Sequence, residues 1–154
     1  LICKSHGLNY RFSIMPGVGS GASGPLISQL MGQGFNFLVL LDDDAEGRKS
    51  AKKYADEWYL DGSKVLTLGK VSTAFEGKAL EKIFSKEDLE IIECSLGLSS
   101  KPNKKQIGWY LAESCANADL GRRYLTEKTA SEFIKILDYV ESLIAGEGKT
   151  RHDD

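Results

Sequence analysis

The segment Phe35-Asn-Phe-Leu-Val-Leu-Leu41 is a nearly continuous apolar run of strand length, and it stops abruptly at three acids, Asp42-Asp43-Asp44. An apolar run of this kind, without alternation, is what a parallel strand covered on both faces requires. From Ala45 to Leu60 the pattern becomes helical, with Ala51, Tyr54, Ala55, Trp58 and Tyr59 apolar and Arg48, Lys49, Lys52 and Lys53 solvated. The acids are therefore expected between a strand and a helix. In open α/β sheets that position, the carboxyl end of a strand, is where ligands gather.

The rest of the chain reads the same way. Tyr10 to Met15 alternates enough for a strand and runs into the glycine-rich loop Pro16 to Gly24. Pro25 opens a short helix with Leu26, Ile27, Leu30 and Met31 on one side, ended by Gly32 to Gly34. Lys64 to Leu68 reads as a third strand, and a helix is expected near Ala79 to Phe84. Ser85-Lys-Glu-Asp88 makes a capping box for a helix over Leu89 to Cys94, and two more helices follow at Lys104 to Ala116 and Glu127 to Ile144. The last of these carries Phe133, Ile134, Leu137, Val140 and Leu143 on one face. Strands alternating with helices predict an α/β fold, a small parallel sheet flanked by helices with a helical last third. The expected organisation is an N-terminal remnant at 1–9, an α/β core at 10–100, a helical part of the same domain at 101–145 and a flexible tail at 146–154.

The chain has 154 residues, with 20 Lys plus Arg against 22 Asp plus Glu, a formal charge of −2. No global basic field draws it to nucleic acid or acidic membrane, so an anionic partner must be held locally. Three cysteines, Cys3, Cys94 and Cys115, with two histidines and no Cys-x-x-Cys, argue against zinc and for free thiols in a reducing cytoplasm. No apolar run approaches the ~20 residues of a membrane span, so no membrane partner is expected. The start, Leu1-Ile2-Cys3-Lys4, lacks both an initiating Met and a signal-peptide pattern. The chain is accordingly expected to be the carboxyl-terminal portion of a longer protein or a truncated product.

Because the side-chain period of a strand is two, Asp42 and Asp44 are expected on one face and Asp43 on the other. Two neighbouring carboxylates repel unless a cation neutralises both, and hard oxygen ligands suit Mg²⁺ or Mn²⁺. The plainer alternative is that Asp44 caps the helix while Asp42 and Asp43 are ordinary turn residues. A second reading competes: Gly19-Ser-Gly-Ala-Ser-Gly24 satisfies the GxGxxG pattern, and Asp42 lies about 20 residues on, as in a dinucleotide fingerprint. In that case loop amides bind a pyrophosphate and Asp42 a ribose. Against it, three adjacent acids make a negative pocket beside an anionic cofactor. Walker A is excluded, since the loop has no Lys-Ser or Lys-Thr and Gly148-Lys149-Thr150 has Leu143 where that motif needs glycine.

The stretch Phe37-Leu-Val-Leu-Leu-Asp-Asp-Asp-Ala-Glu-Gly-Arg-Lys-Ser-Ala-Lys-Lys53 resembles the Asp-x-Asp segment of a Toprim domain, and more narrowly that of the OLD (overcoming lysogenization defect) family nucleases. Ser13-Ile-Met-Pro-Gly-Val-Gly19 is similar to the family's strand and glycine turn, and Gly77 to Asp88 to a later acidic segment. The resemblance covers roughly residues 11–145. It implies a DNA endonuclease or nickase with a centre of two Mg²⁺ or Mn²⁺ ions. Asp42, Asp44 and Glu81 would be metal ligands, and Lys105, or else Lys104, a catalytic lysine. Gly17, Gly19 and Lys101 are candidate phosphate or DNA contacts. Residues 99–125 hold five basic residues against Glu113 and Asp119, a surplus of three. The chain departs from the family at Lys82, where an acid is usual. It also lacks the Glu-Gly motif of a first Toprim strand and the ATPase domain that usually precedes it, Glu76-Gly77 standing in the wrong order. DNA, an ATPase domain outside this chain and a second copy in a homodimer are the implied partners; a catalytically inactive remnant is the further alternative.

Overall fold

The computed structural model describes residues 2–15, 23–116 and 125–147. In chain order the helices are α1 (Ile2–Ser5), α2 (Gly24–Gly32), α3 (Ala45–Trp58), α4 (Leu68–Val71), α5 (Lys86–Ser95), α6 (Lys104–Ala116) and α7 (Glu127–Glu147). The strands are β1 (Val39–Leu41), between α2 and α3, and β2 (Val65–Thr67), between α3 and α4. Short 3₁₀ turns occur at Thr73–Phe75 and Leu80–Ile83. The class is α/β and mostly helical, with a two-stranded parallel sheet among the described residues. The chain divides into two compact units, residues 14–80 and residues 1–13 together with 81–154.

In the unit 14–80, β1 and β2 pair in the register Val39↔Val65, Leu40↔Leu66 and Leu41↔Thr67, with α3 as the crossover. The core joins Ile27 of α2, Tyr54 of α3 and Val65 of β2, with Phe37, Val39, Leu41, Ala51, Trp58 and Leu60 packed around them. β1 is shorter than its apolar run predicts because its partner is short. Val39 N–H reaches the carbonyl of Lys64 at 2.8 Å, where the turn from Asp61 ends, and Leu68 already opens α4. Phe35 is exposed, and Leu40 faces solvent while β2 is buried throughout. The doubly covered strand is therefore β2 rather than β1.

In the other unit, Phe84, Ile92 and Ile107 form a core with Leu89, Leu96, Tyr110, Leu111, Leu125 and Phe133, and the rings of Phe84 and Phe133 meet edge to face at 5.2 Å. The strand expected at Tyr10 to Met15 is not formed. Its alternation serves packing on a helix instead: Tyr10 Oη donates to Asp138 Oδ1 at 2.8 Å, Arg11 Nε pairs with Glu141 at 2.6 Å, and the Tyr10 and Phe12 rings lie 5.4 Å apart. Burial and the Asp138 carboxylate together push the Tyr10 phenol up to about 12. The helix expected near Ala79 to Phe84 is the 3₁₀ turn Leu80–Ile83.

Ser85 caps α5 as expected, its Oγ accepting from Asp88 N–H at 3.1 Å, but the reciprocal bond of a capping box is replaced, since Ser85 N–H donates to Thr129 Oγ1 at 2.8 Å. The Asp88 side chain serves a wider set of donors. Its buried carboxylate accepts from Ser85 Oγ and Thr126 Oγ1 at 2.7 Å each, from Thr126 N–H at 2.8 Å and from the Thr129 hydroxyl, so one anion holds the N-termini of both α5 and α7. Burial alone would push the Asp88 pKa up, but the Thr129, Thr126 and Ser85 donors outweigh burial and hold it below the ordinary carboxylate value. Stability from this group is therefore complete above the ordinary Asp value of about 4 and is lost as pH falls through the lowered folded-state value. Asp88→Asn is expected to cost roughly 2–3 kcal/mol in urea unfolding at pH 7. It should also flatten the loss of stability on acidification relative to wild type; parallel acid limbs for the two proteins would assign that loss elsewhere.

Candidate metal centre

The acid triplet stands at the carboxyl end of β1, directly ahead of α3, and each acid has its own task. Asp42 and Asp44 are half-buried, whereas Asp43 is buried, as the strand period predicts. Asp44 is the N-cap of α3, its Oδ1 accepting from Gly47 N–H at 2.8 Å. Asp42 Oδ1 accepts from Leu80 N–H at 2.9 Å and so fixes the start of the Leu80–Ile83 turn. The capping alternative is thus realised for Asp44. A carboxylate carries two oxygens and about four acceptor sites, so a cap through Oδ1 is compatible with a cation on the same group.

Asp43 organises the ground beneath this pair. It accepts from the Thr67 hydroxyl at the end of β2, from Gly77 N–H at 2.7 Å and from Arg48 of α3, whose guanidinium also reaches the Asp43 carbonyl. Its N–H donates to the Lys78 carbonyl at 2.9 Å. The Thr67 and Gly77 donors, with Arg48 behind them, hold its carboxyl below the usual range despite burial.

Two glycines make this packing sterically feasible. A Cβ at Gly47 would fall 2.0 Å from the Asp42 carbonyl oxygen, and one at Gly69 would fall 2.8 Å from Asp43 Cγ. The strand period places Asp43 opposite Asp42 and Asp44 but gives no sign of its contacts with Thr67 and Gly69. The available signal was Gly69, two residues after the end of β2, where a buried anion needs close backbone.

A cavity of about 70 Å³ beside Asp42 is lined by Leu40, Leu41, Asp42, Leu68 and Leu80. It is large enough for water, and its polar side chain is the Asp42 carboxylate.

The other candidates lie elsewhere in the chain. Glu81, Lys101, Lys104 and Lys105 belong to the unit that includes 81–154, whereas Asp42 and Asp44 belong to 14–80. Within its unit, Glu81 pairs with Lys104, Nζ to Oε2 at 3.6 Å. An expected metal ligand and an expected catalytic lysine are therefore neighbours. Lys105 is exposed at the start of α6, where Asn103 Oδ1 accepts from its N–H at 3.0 Å and from Gln106 N–H at 3.1 Å. Lys101 is exposed in the preceding loop. Gly17 and Gly19 lie outside the described residues, as do Arg122 and Arg123.

Among the described residues, no three or more His, Cys, Asp or Glu side chains converge on one point. A single Mg²⁺ needs only one or two protein carboxylates and completes its shell with water and phosphate. A second ion needs a further acid. No family model matches the chain, and neither does any curated protein or solved structure.

The close approach at Gly47 carries a test. Alanine in a helix is normally favoured over glycine by about 1 kcal/mol. Gly108→Ala, on α6 with open space around it, should stabilise by up to that amount in urea unfolding. Gly47→Ala should instead destabilise by roughly 2 kcal/mol, as overpacking against backbone does; a gain at both positions would mean that the Asp42 carbonyl does not lie against α3.

Proposed function

We propose that this chain carries a Toprim-like, divalent-cation-dependent phosphodiesterase centre and acts as a DNA endonuclease or nickase, with Asp42 and Asp44 holding Mg²⁺ or Mn²⁺. The observation behind the reading is the arrangement Asp42-x-Asp44-x-x-Gly47 at the carboxyl end of a parallel strand, with Gly47 pressed against the Asp42 carbonyl. Such a cation supplies a more acidic bound water and offsets charge on the phosphorane. The chain's own residues do the rest. Asp42 and Asp44 orient the ion, and Asp43, pinned by Thr67, Gly77 and Arg48, keeps the strand end in place. Glu81 is the acid proposed for a second ion, and Lys104 or Lys105 the cation that neutralises the transition state. Free thiols at Cys3, Cys94 and Cys115 fit a cytoplasmic setting, and among the described residues no helix is long and apolar enough to cross a membrane.

The dinucleotide reading has less support, because residues 8–15, ahead of the glycine loop, form no strand. Mg²⁺, Mn²⁺ and NAD(H), titrated separately, distinguish the two readings, since a ligand of the native state raises the melting temperature. A rise with metal is expected, and a rise with NAD(H) alone overturns the proposal.

Asparagine variants separate the metal role from the structural one. Asp44→Asn still caps α3, because Asn is as good an N-cap as Asp. Asp42→Asn keeps an acceptor for Leu80 N–H. Both are therefore expected to fold with little loss of stability, yet to lose the metal-induced rise and to nick supercoiled plasmid on the order of 100-fold more slowly. Wild-type nicking rates in both variants would remove these acids from the centre.

A further inference from the structure

The largest apolar side chain of α6 is on its outside. Trp109 is 76% exposed, although the other side of the same helix buries Ile107 and packs Tyr110 and Leu111 into the core. Tryptophan is highly buried on average, because leaving it in water forfeits a large gain from burial. Lys105, Trp109, Ala112 and Ala116, spaced by four, three and four, share one exposed side of the helix. Gly108 and Ala112 beside the ring carry nothing larger than a methyl, and a Cβ at Gly108 would meet no atom within 4 Å. On that side the indole is open to a flat partner. An ordinary solvated face carries charge where this one carries an aromatic ring.

The cations stand at one end of this face. Lys104 and Lys105 begin α6, and its first turn holds no acid. Acids are favoured there and bases oppose the helix dipole, so helix stability does not account for Lys105. Glu81 engages Lys104 at 3.6 Å, whereas Lys105, and Lys101 in the loop before it, have no acid partner among the described residues. Glu113, the acid of α6, lies one turn beyond Trp109, about 12 Å along the axis from Lys105. Trp109 therefore has a basic neighbourhood on its N-terminal side.

We infer that Trp109 and Lys105 form a contact for single-stranded DNA, in which an unpaired base stacks on the indole and a neighbouring phosphate meets the Lys105 ammonium, with Lys101 as a further phosphate contact. An aromatic platform beside cations is how proteins hold unpaired strands without reading sequence, and the stacked base must be unpaired because its neighbours cover it in a duplex. Lys105 and Trp109 are about 6 Å apart along the axis, close enough for one nucleotide to reach both. The inference rests on the nuclease reading for its choice of DNA over RNA, and deepens it by naming the strand state that is bound. A second copy of the chain fits this face less well. The 13 residues of α6 offer a footprint of roughly 20 Å by 10 Å, far below the roughly 800 Å² per partner of a stable interface. A membrane would need an inserted apolar face, and that of α6 is turned to the core.

Binding of a fluorescein-labelled oligothymidylate of about 12 nucleotides is measured by anisotropy in EDTA, and quenching of tryptophan fluorescence is followed with the unlabelled strand. Trp58, half-buried against the core of residues 14–80, supplies the background emission. Wild type is expected to bind and to be quenched. Trp109→Phe keeps a stacking ring, so it should bind within roughly threefold of wild type while the quenching disappears. Trp109→Ala should keep the wild-type melting temperature and bind at least about fivefold more weakly. Lys101→Gln/Lys105→Gln should flatten the plot of log affinity against log salt by about 1.4 units, at about 0.7 for each single-strand phosphate contact. No binding, or equal affinity in wild type and Trp109→Ala, overturns the contact, as does tighter binding of a duplex or of oligouridylate of the same length. A dimer in sedimentation that Trp109→Ala abolishes, with oligothymidylate binding unchanged, gives the face to a second copy and also overturns it. Metal plays no part in these readings. Asp42-dependent nicking of plasmid can therefore stand while the stacking contact falls, and Trp109-dependent strand binding can stand while the nuclease reading falls.

Discussion

The unit 14–80 depends on a buried charge. Asp43 stands where β1, β2, α3 and the loop through Gly77 meet, and it is an anion because donors from three of those segments converge on it. An isolated carboxylate in such surroundings would take up a proton or pull in water. Here Thr67 supplies a hydroxyl, Gly77 an N–H and Arg48 a guanidinium, and Gly69 keeps its backbone close because it has no Cβ. A two-stranded sheet of three residues per strand is far too small to be stable alone. The Asp43 bonds tie its carboxyl end to the helix and loops that cover it.

That arrangement also explains how three consecutive acids are tolerated. Each carboxylate meets its own N–H: Leu80 for Asp42, Gly77 for Asp43 and Gly47 for Asp44. Backbone donors spread the negative charge over three separate sites and so lower the repulsion that adjacent anions would otherwise feel. The same bonds fix the direction of the Asp42 and Asp44 side chains. A side chain already held by one oxygen also loses little further freedom if its other oxygen is engaged.

Much of this was legible in the sequence, and what was not has a common cause. Helices α3, α5, α6 and α7 follow from their periodicity and caps, because Asp44, Ser85 and Asn103 are local signals acting within three or four residues. The carboxyl-end position of the acids was equally readable from the apolar run before them. Strand lengths were not, since the extent of β1 is decided by Lys64 and Leu68 in a distant segment. The Tyr10 to Met15 alternation was misread for the same reason, its partners being Asp138 and Glu141 more than a hundred residues away. The roles of Asp43 and Asp88 were hidden too: a buried acid and a surface acid are the same letter until their donors are known.

The two buried carboxylates also bear on how the chain distributes its near-neutral charge. Asp43 engages the Arg48 guanidinium, which stays half exposed, while Lys49, Lys52 and Lys53 are exposed on the same helix. Lysine is a compact, strongly hydrated charge on a flexible stem that demands no one geometry. Arginine, planar and able to make several bonds at once, is placed where geometry matters, against the carboxylate and carbonyl of Asp43. On one helix, therefore, the rigid cation serves the fold and the adaptable ones remain outside, and a net charge of −2 conceals that separation.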